Sequence, residues 1–252
     1  MKITNIIPTD WKDLQLQVAK IFSDMGCKVK VEENIDLVRG TSNIDVFVED
    51  ITTTPTLIYL CECKNWNSEV PKSVIHSFKS IVSDSGAHCG YIISKTGFQS
   101  GAYETAYKSN IFIMSWEQFI ETFEDRWIQA MINKLHVVGK PLRDYCYTLT
   151  DFYKSDLDKL NRVDRNKFDE TLEKYRLIST CSSKDNYLEI GTGKYIRFEV
   201  DKVISKEIDY FFKRGQVNSY DEYFSLLTKI HLEGIELLDS LLGKQARKQY
   251  NW

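Results

Sequence analysis

Apolar residues at Trp11, Leu14, Val18, Ile21, Phe22 and Met25 recur with the helical period, with Thr9 or Asp10 ahead of them as N-cap and Gly26 behind. That pattern predicts a helix. Two short β-branched runs follow, Cys27 to Glu32 and Ile44 to Glu49, separated by a polar turn containing Arg39-Gly40-Thr41-Ser42-Asn43, and they read as strands. Within Thr56 to Lys64, the stretch Leu57-Ile58-Tyr59-Leu60-Cys61 is apolar on both faces, as in a central strand covered on both sides. A helical stripe at Val74, Ile75, Phe78, Ile81 and Val82 opens on Pro71 and stops at Gly86. A strand at Cys89 to Ser94, a small helix at Gln99 to Ser109 and a strand at Ile111 to Ser115 complete the order αβββαβαβ. Strands alternating with helices late in this order imply an α/β domain, a mixed sheet with helices on both sides.

Phe119, Ile120, Phe123, Trp127, Met131, Ile132 and Leu135 form a long helical stripe from Trp116 to about His136, which Val137-Val138-Gly139-Lys140-Pro141 is expected to end. The domain boundary is placed there, giving 1-138 and 139-252. The second domain reads as smaller, α+β and mostly helical. Its expected helices lie around Asp151 to Asn161, Arg165 to Ile178 and Tyr220 to Leu242, the last interrupted by Gly234, with strands at Tyr187 to Ile190 and Tyr195 to Val200.

Composition narrows the chemistry. With 42% hydrophobic residues, 12 Gly and 4 Pro, the chain is neither collagen-like nor low-complexity. No apolar run approaches the roughly 20 residues a bilayer span needs, and no signal-peptide core follows Met1, so a soluble, cytoplasmic protein without membrane contact is expected. The six cysteines contain no CxxC pair and the four histidines no HxH or HxxxH spacing, so neither a disulfide framework nor a zinc site is indicated. Catalysis would fall to carboxylates and lysines. Thirty-three basic against 36 acidic residues argue against an indiscriminate nucleic-acid coat, not against a local basic groove. Arg162, Arg165, Lys167, Lys213, Arg214, Lys244, Arg247 and Lys248 are candidates for a phosphate-binding surface, or ordinary solvated helix faces.

Glu62 and Lys64 are two residues apart on the expected central strand, so the pleat puts both on one face and Cys61 and Cys63 on the other. Asp45, between Ile44 and Val46 on the preceding strand, would lie beside Glu62 if those strands pair. Two carboxylates with a backbone carbonyl such as that of Cys63 suit Mg²⁺, which prefers oxygen ligands and keeps several waters. Acid-any-Lys alone is a weak pattern, also met at Asp10-Trp11-Lys12, where Asp10 is simply a helix cap. From the residues alone a second reading stands beside the first: Glu62 and Lys64 ion-paired or solvated beyond the sheet, and Asp45 capping a turn.

The order of elements resembles the PD-(D/E)xK nucleases, and most closely the Mrr-like branch of the restriction-endonuclease-like superfamily, over roughly residues 10 to 120. The resemblance rests on Leu14-Gln15 through Met25-Gly26, Gly40 through Ile44-Asp45, Cys61-Glu62-Cys63-Lys64-Asn65-Trp66, Val70, Gly90-Tyr91-Ile92-Ile93-Ser94, Gly97-Phe98, Ala102, Ala106 and Ile111. It implies that Asp45 and Glu62 are metal ligands, that Lys64 is the catalytic lysine, and that Gln15 occupies the functional first-helix position. Many relatives carry Glu there; Gln15 is neutral and can only hydrogen-bond or ligate through its carbonyl. Conversely, Glu62 stands where many Mrr-like members have Gln. Ser94, Lys95 and Asn65 are candidate DNA contacts. The implied activity is a Mg²⁺-dependent endonuclease, with Mn²⁺ able to substitute, that cuts DNA in restriction or antiviral defence. The expected partners are DNA and either a second copy or another protein met through the C-terminal domain. A catalytically silent scaffold that binds nucleic acid or a partner, an RNase and a junction resolvase are the alternatives.

Overall fold

A computed structural model describes residues 1–148, 154–189, 193, 195 and 217–243. They fall into two compact units that divide within one helix. Residue 2 and residues 4–130 form the first unit; residues 1, 3 and 131 onward form the second.

The first unit is a five-stranded sheet in the order β1-β2-β3-β4-β5, with β1 (Lys28–Leu37), β2 (Gly40–Asp50), β3 (Leu57–Lys64), β4 (Cys89–Ser94) and β5 (Ile111–Ser115). The first three strands are antiparallel and the last two continue parallel from β3. The mixed sheet therefore follows the expected order. β1 and β2 are longer than expected: the polar run Gly40 to Asn43 is strand, and the turn shrinks to Val38 and Arg39, with Gly40 at φ +93°. A hydrophilic two-stranded ribbon lacks the apolar alternation by which strands are recognised.

Helices α1 (Trp11–Asp24), α2 (Lys72–Ser85) and α3 (Ser100–Ala106) flank the sheet, and α4 (Trp116–Arg143) follows β5 directly. Asp10 caps α1 by accepting a hydrogen bond from the Asp13 amide. On one face, α2 and α3 bury Ile75, Phe78, Val82 and Ala102 against Ile44, Leu60, Ile92 and Ile111. On the other, Phe22 of α1 meets Tyr59 of β3 at 6.0 Å, Tyr91 of β4 at 6.2 Å and Phe123 of α4 at 5.0 Å between ring centroids. Burying a phenylalanine such as Phe22 contributes roughly 2–3 kcal/mol. β3, covered on both faces, is the strand from which Glu62 and Lys64 project.

In the second unit, α6 (Arg162–Thr180) packs on α7 (Tyr220–Leu242); the short α5 spans Lys154–Leu157. Phe168, Leu172 and Tyr175 of α6 and Tyr223, Phe224 and Leu227 of α7 are buried. Gly234 marks close approach rather than interruption, since a Cβ there would lie 2.7 Å from Tyr175 Cδ1. The end expected for α4 near His136 is also corrected: the helix runs to Arg143, through Pro141, before a π-helical turn at Asp144–Thr148. Gly139 is a contact glycine, its missing Cβ leaving room for Ser182 and His231, and not a helix stop. Tyr187 ends a 3-10 turn (Lys184–Tyr187) instead of opening a strand; Leu188 and Tyr195 form an isolated antiparallel bridge, Glu189 belongs to no strand, and residues 190 and 196–200 of the strands expected at 187–190 and 195–200 lie outside the described residues. So do residues 151–153 of the helix expected at 151–161, and Lys213, Arg214, Lys244, Arg247 and Lys248. No helix among the described residues is long and apolar enough to cross a membrane.

Candidate active site

The β2–β3 ladder runs from Asp50↔Leu57 to Val46↔Cys61 and goes no further. Beyond it the Cys63 amide donates to the Asp45 side chain, N to Oδ2, at 2.6 Å. The other oxygen of Asp45 accepts from Gln15 Nε2 of α1 at 2.8 Å. Asp45 thus stands where the two strands part, held from the helix on one side and from the β3 backbone on the other. Gln15 is 3% exposed, so its amide is fixed by packing as well as by this bond.

Glu62 and Lys64 are on one face of β3, as the pleat requires, and the Lys64 ammonium is ion-paired with Glu62 Oε1. The ammonium also lies over the Trp66 ring, 5.2 Å from its centroid, which adds cation–π attraction. Burial raises the Glu62 pKa, and the Asp45 carboxylate raises it further; the Lys64 ammonium acts in the opposite direction and does not cancel them. Two carboxylates therefore share a half-buried place, with the Lys64 ammonium paired to one of them, Glu62. Gln15, Asp45, Glu62, Cys63 and Lys64 are brought together from α1, β2 and β3.

Such a donor set fits a hard divalent cation. Carboxylate oxygens with spare lone pairs and a nearby carbonyl match oxygen-preferring ions. The Cys61 and Cys63 thiols, fully buried, are pushed well above their ordinary pKa by desolvation and by the acidic side chains near them, so they stay protonated and do not invite a thiolate-bound metal. Among the described residues no group of three or more His, Cys, Asp and Glu side chains is arranged to hold an ion. Asp45 and Glu62 would therefore need backbone, water or substrate oxygens to complete a coordination shell.

The loop after β3 is laced to the loop after β4. Lys95 N donates to Lys64 O at 3.0 Å, Thr96 Oγ1 to Ser68 O at 2.7 Å, and Val70 N to Gly97 O at 3.0 Å. Lys95 is exposed and its ammonium lies 3.4 Å from Asn67 Oδ1, at the rim of the site; Asn65 is half-buried just beyond Lys64. Ser94 is fully buried, its hydroxyl donating to Gly97 O and accepting from Gly97 N, so it closes the turn and does not face solvent. His76 is exposed on α2. The sequence gives no sign of the Cys63 amide as a partner of Asp45, because a backbone donor leaves no residue pattern.

Residues 8–123 match the Mrr_cat family model, described as restriction endonuclease. No curated protein matches the sequence. A solved crystal structure of a protein of unknown function, AF1548, aligns over 93% of this chain and all of its own length at 13% identity, with a TM-score of 0.37.

Proposed function

From a domain at residues 8–123 that belongs to the Mrr-type restriction endonuclease family, we propose that the chain is a Mg²⁺-dependent endodeoxyribonuclease, with Mn²⁺ able to substitute. The observation that carries the reading is the crowding of Asp45 against Glu62, beside Lys64, where β2 leaves β3. Asp45, Glu62 and the Cys63 carbonyl would hold the ion. When bound, it polarises the scissile phosphodiester and lowers the pKa of the attacking water.

Every other role falls to the chain itself. Asp45 is kept in one orientation by the Gln15 amide and the Cys63 N–H, so little of its motion has to be frozen when substrate arrives. The Lys64 ammonium is held near Glu62 and the Trp66 face, at the point where it orients a nucleophilic water and offsets negative charge growing on the phosphoryl oxygens. Lys95 and Asn65, at the rim, are suited to DNA phosphate contacts, which position the duplex without reading its sequence. Ser94 supports that rim from beneath. Restriction of foreign DNA or antiviral defence is the biological setting proposed, with residues 139–252 supplying recognition or assembly with a second copy or a partner protein.

Supercoiled plasmid, plain and methylated, incubated with the full chain in Mg²⁺, in Mn²⁺ and in EDTA gives the test. Nicking or linearisation in either metal, none in EDTA, and loss of at least about a hundredfold in Asp45→Ala and Lys64→Ala with the fold unchanged are expected, the size usual for removing one such charge-stabilising group. A folded protein that leaves all DNA intact under every condition would overturn the reading in favour of a binding scaffold.

A further inference from the structure

The alternation of faces along the β1–β2 hairpin reverses at one place, and that place is Asp45. On β2, Phe47 packs on the α2 side of the sheet together with Leu60. Unbroken alternation would send Ile44 to the opposite side, with Val46. Ile44 instead joins the same α2-side cluster as Phe47, three residues away. The partner strand reverses in step. Lys30 pairs with Phe47 and its ammonium lies 6.0 Å from that ring's centroid, while Ile35, five residues on, is also packed against the α2-side cluster. An odd spacing between two residues on one face requires the pleat to turn over between them.

The turn-over is located by the backbone. Val31 pairs with Val46 and Glu33 with Ile44, leaving Glu32 opposite Asp45 as the one step of the ladder without a pair. Glu32 has φ +54°, in the left-handed region that a non-glycine residue rarely adopts and that a strand does not otherwise contain. No residue is inserted in either strand, so this is not a bulge: one left-handed residue rotates the ribbon beyond it relative to the sheet. Asp45 therefore stands at the turn-over itself, where its carboxylate reaches both α1 and the free Cys63 amide. The Glu32 carbonyl accepts from Asn43 Nδ2 at 3.2 Å, which ties the strained residue to the strand it redirects.

We infer that Glu32 is a positioning residue, whose left-handed backbone turns the hairpin over so that the Asp45 carboxylate reaches Gln15 and the Cys63 amide. The catalytic consequence rests on the nuclease reading above; the geometric part does not. It is the φ of residue 32 that acts, and its carboxylate is dispensable.

Three substitutions in the full chain separate these claims, each read by the Cys63 amide resonance and its hydrogen exchange, with Asp45→Ala as the reference for a lost Asp45 bond. Glu32→Gly, free to adopt positive φ, and Glu32→Ala, which removes only the carboxylate, keep the wild-type Cys63 resonance and protection. Glu32→Val, whose branched Cβ disfavours that φ, shifts the resonance toward that of Asp45→Ala and speeds exchange. In the cleavage assay it lowers kcat about tenfold with little change in KM, while Glu32→Gly restores the wild-type rate. A wild-type Cys63 resonance in folded Glu32→Val would overturn the inference. So would an Asp45→Ala-like resonance in Glu32→Gly or Glu32→Ala, which decides the matter should Glu32→Val not fold. If the wild type cuts no DNA, the nuclease reading fails while the Cys63 amide still judges the geometry.

Discussion

Asp50 is a carboxylate with no exposed surface, and its surroundings explain how it stays charged. Arg126 Nη2 lies 2.6 Å from Oδ2, Tyr59 OH donates to the same oxygen at 3.0 Å, and Thr52 donates to Oδ1 from both its hydroxyl and its amide. Burial alone would raise the Asp50 pKa; the bonds from Thr52, Arg126 and Tyr59 outweigh it and leave the pKa below its ordinary 3.8. A depressed carboxylate pKa means that its stabilisation is in place at neutral pH and is lost only as the pH falls below 3.8 and through the folded value. Asp50→Ala would strand a partly buried guanidinium and a buried phenol. Thermal denaturation at pH 7 should show a loss of about 3 kcal/mol, the low end for breaking a buried pair because Arg126 keeps some contact with water. The sequence holds no trace of this pairing, since 76 positions separate the two residues and neither lies in a motif. Glu62 and Lys64 were legible because their two-residue spacing is itself the geometry.

At the scale of elements, Gly90 shows how tightly the α2 layer is laid on the sheet. A Cβ at this position of β4 would come within 2.6 Å of Phe78 Cε1 and 2.7 Å of Val82 Cγ2, both on α2. Overpacking of this kind costs about 2 kcal/mol. Gly90→Ala should therefore lower the denaturant midpoint by the corresponding amount with an unchanged slope, a sign of strain in the native state and not of a changed unfolded one. Elements defined by apolar periodicity were readable from sequence: β4, β5 and α7 begin and end where the pattern puts them. Those defined by anything else were not. The outer half of the β1–β2 hairpin is polar and looks like a turn, and α4 continues past Gly139 and Pro141 because Ser182 and His231 fill the space a side chain would occupy. The left-handed Glu32 is invisible for the same reason as the Cys63 amide: backbone geometry is not encoded in polarity.

Across the whole molecule the two units answer differently to acid. His231 is fully buried on α7, its Nδ1 bonded to the Leu227 carbonyl at 2.7 Å. Burial lowers its pKa, with Arg143 adding to the effect, and bonds to the Leu227 and Ser179 carbonyls do not restore it. His136, which faces Arg143 and Ser182, is lowered too, by desolvation first and the Arg143 charge next. A histidine whose folded pKa is depressed binds its proton more readily in the unfolded chain, so stability is full above 6.5 and falls as pH drops from there to the folded value. The loss is at most about 1.4 kcal/mol per pH unit for each histidine. Hydrogen exchange at pH 7 and at pH 5.5, corrected for intrinsic rates, should show α7 amides losing protection while β3 amides keep theirs, and His231→Gln should shrink the difference.

Gln15 carries a consequence for the order of events in the life of the chain. A carboxylate at position 15 would face Asp45 where an amide N–H now donates to it, and three acids with one lysine would repel one another in a half-buried place until a cation arrived. The amide removes one of those charges and binds another. On the nuclease reading, the polypeptide can therefore reach its native form on its own and recruit its ion afterwards, less tightly held but exchangeable with the surrounding pool, so that the supply of free cation, and not the act of folding, decides when the blade is live.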